Sequence, residues 1–428
     1  MSSTPLQASR GTRDIWGEEI LLWQALEQQA RELLGRANYQ EIRTPIFEAT
    51  ELFCRGIGEA TDIVNKEMYT FTDRGNRSLT LRPEGTAGVV RSLIEHKRLS
   101  QGVVRCWYLG PMFRYERPQA GRQRQFHQLG VELFGSADPR ADVEVIALGL
   151  EFLQTLSLPS LTLELNSVGD PEDRQRYQAA LVEYLTPYVQ DLDPDSQVRL
   201  TKNPLRILDS KCPTTQAILA TAPQLPQYLS KAAQEHFERV QAGLTALGWS
   251  YVLNPRLVRG LDYYTRTAFE ITTVDLGAQS AVAGGGRYDR LVQQLGGPET
   301  PAVGWAIGLE RLVALWQKQG VSRSVAPDIT VVAVGEATAN LSLQISQMLR
   351  QHGLRVDLDL SHSSLGKQIK RADKLGSKAC VILGETEVAT GQIPVKWLAT
   401  GVQEMVPFPA GFADPHPWRQ KCQHPPVA

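Results

Sequence analysis

Between Phe113 and Phe134 the chain reads FRYERPQAGRQRQFHQLGVELF, with four arginines (Arg114, Arg117, Arg122, Arg124) and Glu116 inside eleven residues. Beyond the Pro118/Gly121 loop, residues alternate. Phe126, Gln128, Gly130, Glu132 and Phe134 share one strand face, and Leu129, Val131 and Leu133 take the other. One face packs and the other presents polar groups. Arginine forks match phosphate oxygens bidentately, and a neighbouring aromatic ring gives a nucleobase a stacking surface. A nucleotide polyphosphate satisfies both. A hairpin tip with four arginines can also simply face solvent.

Two further segments carry chemistry. In Ser78–Gly88, SLTLRPEGTAG, alternation sets Thr80, Arg82 and Glu84 on one face, and Pro83 and Gly85 end the strand before a helix begins near Thr86. A carboxylate and a hydroxyl there suit an ammonium group, or they cap the helix by accepting from its free backbone donors. In Leu257–Glu270, LVRGLDYYTRTAFE, Arg259 and two tyrosines crowd around Gly260. The alternative there is a hairpin with a tyrosine pair in the core.

These residues need a scaffold. From about residue 10 to 168 an amphipathic helix (Glu18 to Leu34) accompanies strands joined by turns such as Thr72–Asn76, which implies antiparallel pairing. After Gly169-Asp170-Pro171 a polar, helix-rich stretch runs to about Ala246, punctuated by Pro194, Pro204, Pro213, Pro223 and Pro226, and it reads as an insertion. Strands then resume and close with GWAIGLERLVALW. A boundary falls at Val321 to Pro327. Beyond it strands and helices alternate, predicting parallel strands with crossover helices. The tail after Phe412, ADPHPWRQKCQHPPVA, is proline-rich without periodicity and is expected to be poorly ordered.

Bulk properties restrict the function classes. At 428 residues the chain has room for two or three domains and a large core. No apolar run reaches membrane-span length, and the N-terminus lacks a basic region followed by an apolar stretch, so the expected address is the cytoplasm. The five cysteines are odd in number and far apart, which suggests neither a disulfide framework nor a zinc knuckle. A net charge of −1 neither supports nor excludes a nucleic-acid partner, because such binding needs a local positive surface rather than a positive total. Lys367, Lys370, Arg371, Lys374 and Lys378 recur at helical spacing and form a stripe that could track a phosphate backbone, or simply a solvated face.

Taken in order, RPEGT, FRYERPQAGRQRQFHQLGVELFG, RGLDYYTRTAFE and AVGWAIGLERL resemble the motif set of the histidyl-tRNA synthetases, from about Gly11 to about Phe408. The arginine hairpin resembles motif 2 of the class II synthetases, GLERL resembles motif 3, and Pro45 in IRTPIFEATELF fits motif 1. RGLDYY resembles a signature of the histidine enzymes alone. Tyr115 departs from motif 2, where histidine is common, but alternation turns it away from the ligand face.

The resemblance implies an α+β catalytic domain with an antiparallel sheet over residues 1–325, with a helical insertion at about 170–246. A separate α/β anticodon-binding domain follows at 326–410, then a tail at 411–428. The implied reaction is ATP-dependent ligation of L-histidine to tRNA(His) through histidyl adenylate, by a homodimer. Glu84, Thr86 and Gln128 would receive the ammonium group, Glu132 with Tyr264 would meet the imidazole, and Tyr263 and Tyr288 would line the pocket. Arg114 and Arg259 would serve the α-phosphate, Arg122, Arg124 and Arg311 the outer phosphates, Glu116 the adenine amino group, and Phe126 the ring. ATP would enter as substrate with Mg2+, with no all-protein metal cage and no tightly bound cofactor expected. Lys367, Lys370, Arg371 and Lys374 are the candidate tRNA contacts. The strand holding Gly284-Gly285-Gly286 would lie beside the amino-acid pocket, its glycines allowing close approach of a ligand, where the residues alone read equally as close approach of a packed neighbour. The rival reading is a non-catalytic paralogue that binds histidine as a regulatory subunit of histidine biosynthesis. Such proteins usually erode the arginines and lack the second domain.

Overall fold

The computed structural model describes residues 6–426, apart from 59–60, 118–121, 159, 259–260, 262, 277–280 and 324. The chain divides into two compact units, Met1–Arg323 and Ser324–Ala428.

The first unit contains strands β1 (Gln40–Glu41), β2 (Phe47–Ala49), β3 (Tyr69–Thr72), β4 (Ser78–Leu81), β5 (Val104–Phe113), β6 (Gln125–Phe134), β7 (Leu161–Ser167), β8 (Val252–Leu253), β9 (Thr265–Thr273), β10 (Ala281–Arg287) and β11 (Ala302–Gly308). Eight form one sheet in the order β1-β5-β6-β11-β10-β9-β7-β8, and β2-β4-β3 form a small second sheet. All pairings within β5-β6-β11-β10-β9-β7 are antiparallel; only the two-residue strands β1 and β8 run parallel to their neighbours. The alternation in β6 sorts its side chains between two cores. Leu129, Val131 and Leu133 join helices Glu18–Arg36 and Pro139–Thr155 in the larger core, whereas Phe134 and Phe126 belong to a second cluster on the opposite face.

Residues 171–246 form four α-helices, Pro171–Leu185, Pro194–Lys202, Pro213–Leu219 and Lys231–Ala246, joined by short 3-10 turns. Three of these begin with proline at the first helical position, where its missing N–H costs no hydrogen bond. Of the punctuating prolines, Pro194 and Pro213 thus start α-helices and Pro204 a 3-10 turn rather than interrupting them. A local core around Tyr177, Leu181 and Ile207 holds the insertion together. Its last helix packs back onto Pro139–Thr155, so closely that a Cβ at Gly243 would lie 2.7 Å from Val143.

The second unit is a five-stranded sheet of β12 (Ile329–Ala333), β13 (Val356–Leu358), β14 (Ala379–Leu383), β15 (Gln392–Trp397) and β16 (Gln403–Pro407), ordered β13-β12-β14-β15-β16. The first three are parallel with helical crossovers, as the alternation predicts; β15 and β16 add an antiparallel hairpin that it does not. The expectation of a poorly ordered tail requires correction. Residues Pro415–Gln423 form a helix, with Asp414 accepting from the His416 N–H at 3.0 Å. Trp418 and Cys422, four residues apart on one helical face, are buried, and Trp418 stacks on Phe412 at 5.0 Å. Proline content hid the helix start, since Pro415 follows an Asp cap.

Candidate active site

Helix Thr86–Glu95 and strands β6, β9, β10 and β11 surround a cavity of ≈ 310 Å³. At its closed end Glu132 is 1% exposed. Its Oε1 accepts from the Thr86 hydroxyl at 2.7 Å and its Oε2 from the Tyr288 hydroxyl. It has no arginine partner among the described residues, so a structural ion pair does not account for its burial. Burial pushes its carboxyl up to about 8, although the Tyr288 and Thr86 hydrogen bonds pull the other way and Glu84 adds to the rise. The carboxylate has room because Gly304 faces it across the β6–β11 ladder. A Cβ at that glycine would stand 1.7 Å from Glu132 Oε2.

Glu84 is also buried, and accepts from the backbone N–H groups of Thr86 at 2.6 Å and Ala87 at 2.9 Å. It therefore caps the helix while lining the cavity. Burial raises its carboxyl, with those two backbone donors and Arg114 opposing. Gln128 supplies a different signal, because its Oε1 is buried with no hydrogen-bond partner among the described residues. An acceptor left unpaired in a cavity suits a ligand donor. Tyr263, Tyr264 and Tyr288 form an aromatic wall, with ring centres 4.7 Å apart for the first pair and 5.5 Å between Tyr263 and Tyr288. Tyr288 donates to Glu132, while Tyr264 lines the same cavity.

The other end is lined by arginines. Arg114 Nε donates to the Pro83 carbonyl at 2.8 Å and its guanidinium lies 5.3 Å from the centre of the Phe126 ring. Arg122 pairs with Glu116 at 3.2 Å, and Arg311 donates to the Ala281 carbonyl. Arg124 sits outside the cavity lining, over the Tyr115 ring at 3.9 Å. Arg259 and Gly260 lie outside the described residues. Glu270 and Glu310, which sequence reasoning did not single out, also line this end. Glu310 accepts from the His127 N–H at 2.9 Å. Its position before Arg311 was the available signal. No group of three or more His, Cys, Asp or Glu able to hold a metal occurs among the described residues.

The glycine run serves two purposes. A Cβ at Gly285 would lie 2.2 Å from the Gly304 carbonyl and one at Gly286 2.4 Å from that of Thr267, so packed neighbours require these two; Gly284 alone of the three lines the cavity.

In the second unit, helix Leu365–Lys374 exposes Lys367, Lys370 and Lys374. Arg371 is tethered, pairing with Asp359 at 2.8 Å and donating to Ser363 Oγ at 3.1 Å. Lys378 lies beyond the helix, paired with Asp328.

Residues 11–312 match the family model described as histidyl-tRNA synthetase, and residues 328–410 match an anticodon binding domain. The chain is 65% identical over 402 residues to a Histidine--tRNA ligase of Cyanothece sp. (strain PCC 7425), covering 94% of each. The structure of apo S. aureus histidyl-tRNA synthetase is similar at 38% identity with a TM-score of 0.80, over 95% of this chain and 99% of that one. An ATP phosphoribosyltransferase regulatory subunit/histidyl-tRNA synthetase from Bacillus halodurans C aligns at 22% identity and TM-score 0.66, over 89% and 100%, and shares the fold. No helix among the described residues is long and apolar enough to cross a membrane. With a match that spans both units, the chain belongs to the histidyl-tRNA synthetase family.

Proposed function

We propose that this chain joins L-histidine to tRNA(His) at the expense of ATP, and that the cavity is where histidine is activated. The observation that carries the reading is one cavity with two unlike ends: a buried carboxylate held by Tyr288 and Thr86, and a cluster of arginines beyond it. A carboxylate oxygen of histidine attacks the α-phosphorus of ATP, the bond to pyrophosphate breaks, and histidyl adenylate forms. The terminal adenosine hydroxyl of the tRNA then attacks the activated carbonyl and AMP leaves. No protein nucleophile is needed, since positioning and neutralisation of oxygen charge carry in-line displacement at phosphorus.

Within that scheme Glu132 accepts an imidazole N–H, and Gln128 Oε1 accepts from the ammonium group with Glu84 adding negative charge nearby. Tyr263 and Tyr264 exclude water. Arg114 serves the histidine carboxylate and α-phosphate, joined by Arg259 on the strength of the sequence motif. Arg122 and Arg311 serve the outer phosphates, Arg124 joins them by the same motif, Glu116 takes the adenine amino group, and Phe126 stacks on the ring. The donor set at the arginine end suits Mg2+, which binds through substrate phosphates and one or two carboxylates. Glu270 and Glu310 line that end and would hold it together with the substrate phosphates, where it would supply charge neutralisation of the phosphate oxygens.

The exposed lysines of helix Leu365–Lys374 are assigned to the tRNA backbone, the first unit to the small molecules. A homodimer is supported by the family's motif 1 around Pro45 and by exposed Phe47 and Phe71 on the small sheet with Ile46 just before it, a patch suited to a second copy. Cytoplasmic location accords with a role in translation. A purely regulatory paralogue is disfavoured, because 22% identity to the Bacillus protein speaks to fold alone, whereas Arg114 and Arg311 are retained and an anticodon domain follows. Transfer of labelled histidine onto tRNA(His), and not onto other tRNAs, tests the proposal; histidine binding without transfer by folded protein would favour the paralogue.

A further inference from the structure

We infer that Asp142 and Arg287, which lie outside the cavity, are positioning residues that hold the Tyr288 hydroxyl on Glu132 and so set the affinity for histidine. The inference rests on the proposed reading of the cavity. Arg287 ends β10 immediately before Tyr288, and both it and Asp142 are fully buried. A guanidinium has five N–H donors, and here the whole fork is engaged. Nε donates to Asp142 Oδ1 at 3.1 Å, Nη1 to the Ser136 carbonyl at 2.9 Å and to Asp289 Oδ1 at 3.1 Å, and Nη2 to the Asp138 carbonyl at 3.4 Å and to Asp142 Oδ2.

The residues flanking Tyr288 are thus fixed from two directions. Arg287 ties the chain to helix Pro139–Thr155, while the Tyr288 N–H donates to the Ala302 carbonyl at 2.7 Å and Asp289 Oδ1 accepts from the Ala302 N–H at 3.0 Å. With both neighbours pinned, the tyrosine ring has little freedom to swing away from Glu132. Burying two full charges is an expensive way to hold a strand end, since apolar residues of like volume are often as stable there. A directional fork, however, fixes orientation in a way that apolar packing does not. His236 from the insertion's last helix stands against the same carboxylate, Nε2 3.4 Å from Asp142 Oδ2, without hydrogen-bond alignment. This makes Asp142 the meeting point of the insertion and the pocket support.

Loss of either charge alone leaves the other buried and can unfold the protein, so the informative variant removes both. Asp142→Leu with Arg287→Met should fold with a lowered melting temperature, since Asp289 and the Ser136 and Asp138 carbonyls lose their donor, yet raise KM for histidine in pyrophosphate exchange by roughly 10- to 100-fold, the range expected when a supporting contact lets a ligand group drift. KM for ATP should stay near the parent value. Arg287→Lys, which keeps the charge but not the fork, should raise the histidine KM in the same selective way, and it decides the matter if the double variant does not fold. A histidine KM that stays unchanged, or one that rises in step with the ATP KM, would overturn the inference and leave the pair purely structural. Glu132→Gln measured alongside separates the two layers: if it too leaves the histidine KM unchanged, the reading of the cavity has failed; if it alone shifts that KM, only the positioning role has.

Discussion

The two ends of the cavity solve opposite electrostatic problems. At the closed end two carboxylates are taken out of water and satisfied by hydroxyls and backbone N–H groups, leaving both with raised pKa values. At the other end Arg114 and Arg122 are only partly buried and keep their charges close to solvent. Burial makes a hydrogen-bond mismatch costly, so the closed end can discriminate between ligands. Positive charge held near water is suited instead to a polyphosphate that arrives charged and leaves as pyrophosphate. On the proposed reading, selection of histidine and adenylyl transfer are therefore separated along one cavity.

The largest effect should come from the open end. Arg114→Ala is expected to slow single-turnover adenylate formation by roughly 10²–10⁴-fold, the range for loss of a preorganised donor to a developing oxyanion, with a smaller loss of histidine affinity through the missing carboxylate contact. Arg259→Ala should behave alike. If either variant lost histidine affinity but kept its single-turnover rate, the separation would be drawn in the wrong place.

Next in size are changes at the closed end. Glu132→Gln should raise the histidine KM by roughly 10- to 100-fold, as for loss of a charged hydrogen-bond partner, with the ATP KM nearly constant. Gly304→Ala should do the same without removing a polar group, because its Cβ would occupy the space of Glu132 Oε2. A Gly304→Ala enzyme with parental histidine KM would mean that the carboxylate position does not matter.

A smaller effect follows from the raised Glu132 carboxyl. Its pKa moves from 4.5 to about 8 on folding, so its contribution to stability is fully present below about 4.5 and is lost as pH rises through about 8. An imidazole N–H favours the ionised form. Histidine KM should therefore fall as pH rises from about 6.5, where free imidazole loses its own proton, towards about 8. In Glu132→Gln only the ligand's own titration should remain; an identical profile in both proteins would contradict the assignment.

The smallest effects belong to the second unit. Alanine at Lys367, Lys370 or Lys374 should weaken tRNA binding severalfold and flatten its salt dependence, leaving pyrophosphate exchange unchanged. Equal losses in exchange and charging would break the division between the units.

What could be read from the sequence was whatever depends on neighbours along the chain. Alternation in β6 correctly sorted Leu129, Val131 and Leu133 from Phe126, Gln128 and Glu132, because a strand's period is a local property. Parallel strands β12 to β14 followed from their spacing. Pairings between distant segments could not be found that way. Gly304 opposes Glu132 only through the β6–β11 register, and Tyr288 reaches it across 156 positions. Asp142 and Arg287, 145 apart, likewise meet only in the folded chain. The tail misled for another reason, since prolines that favour disorder in bulk also open helices after an aspartate.

Amino-acid-dependent exchange of labelled pyrophosphate into ATP, run across the common amino acids with the full chain, tests the central claim most directly. Exchange with histidine alone, lost in Arg114→Ala and demanding far more histidine in Glu132→Gln, is the predicted result. No exchange, or exchange of comparable rate with another amino acid, would contradict it.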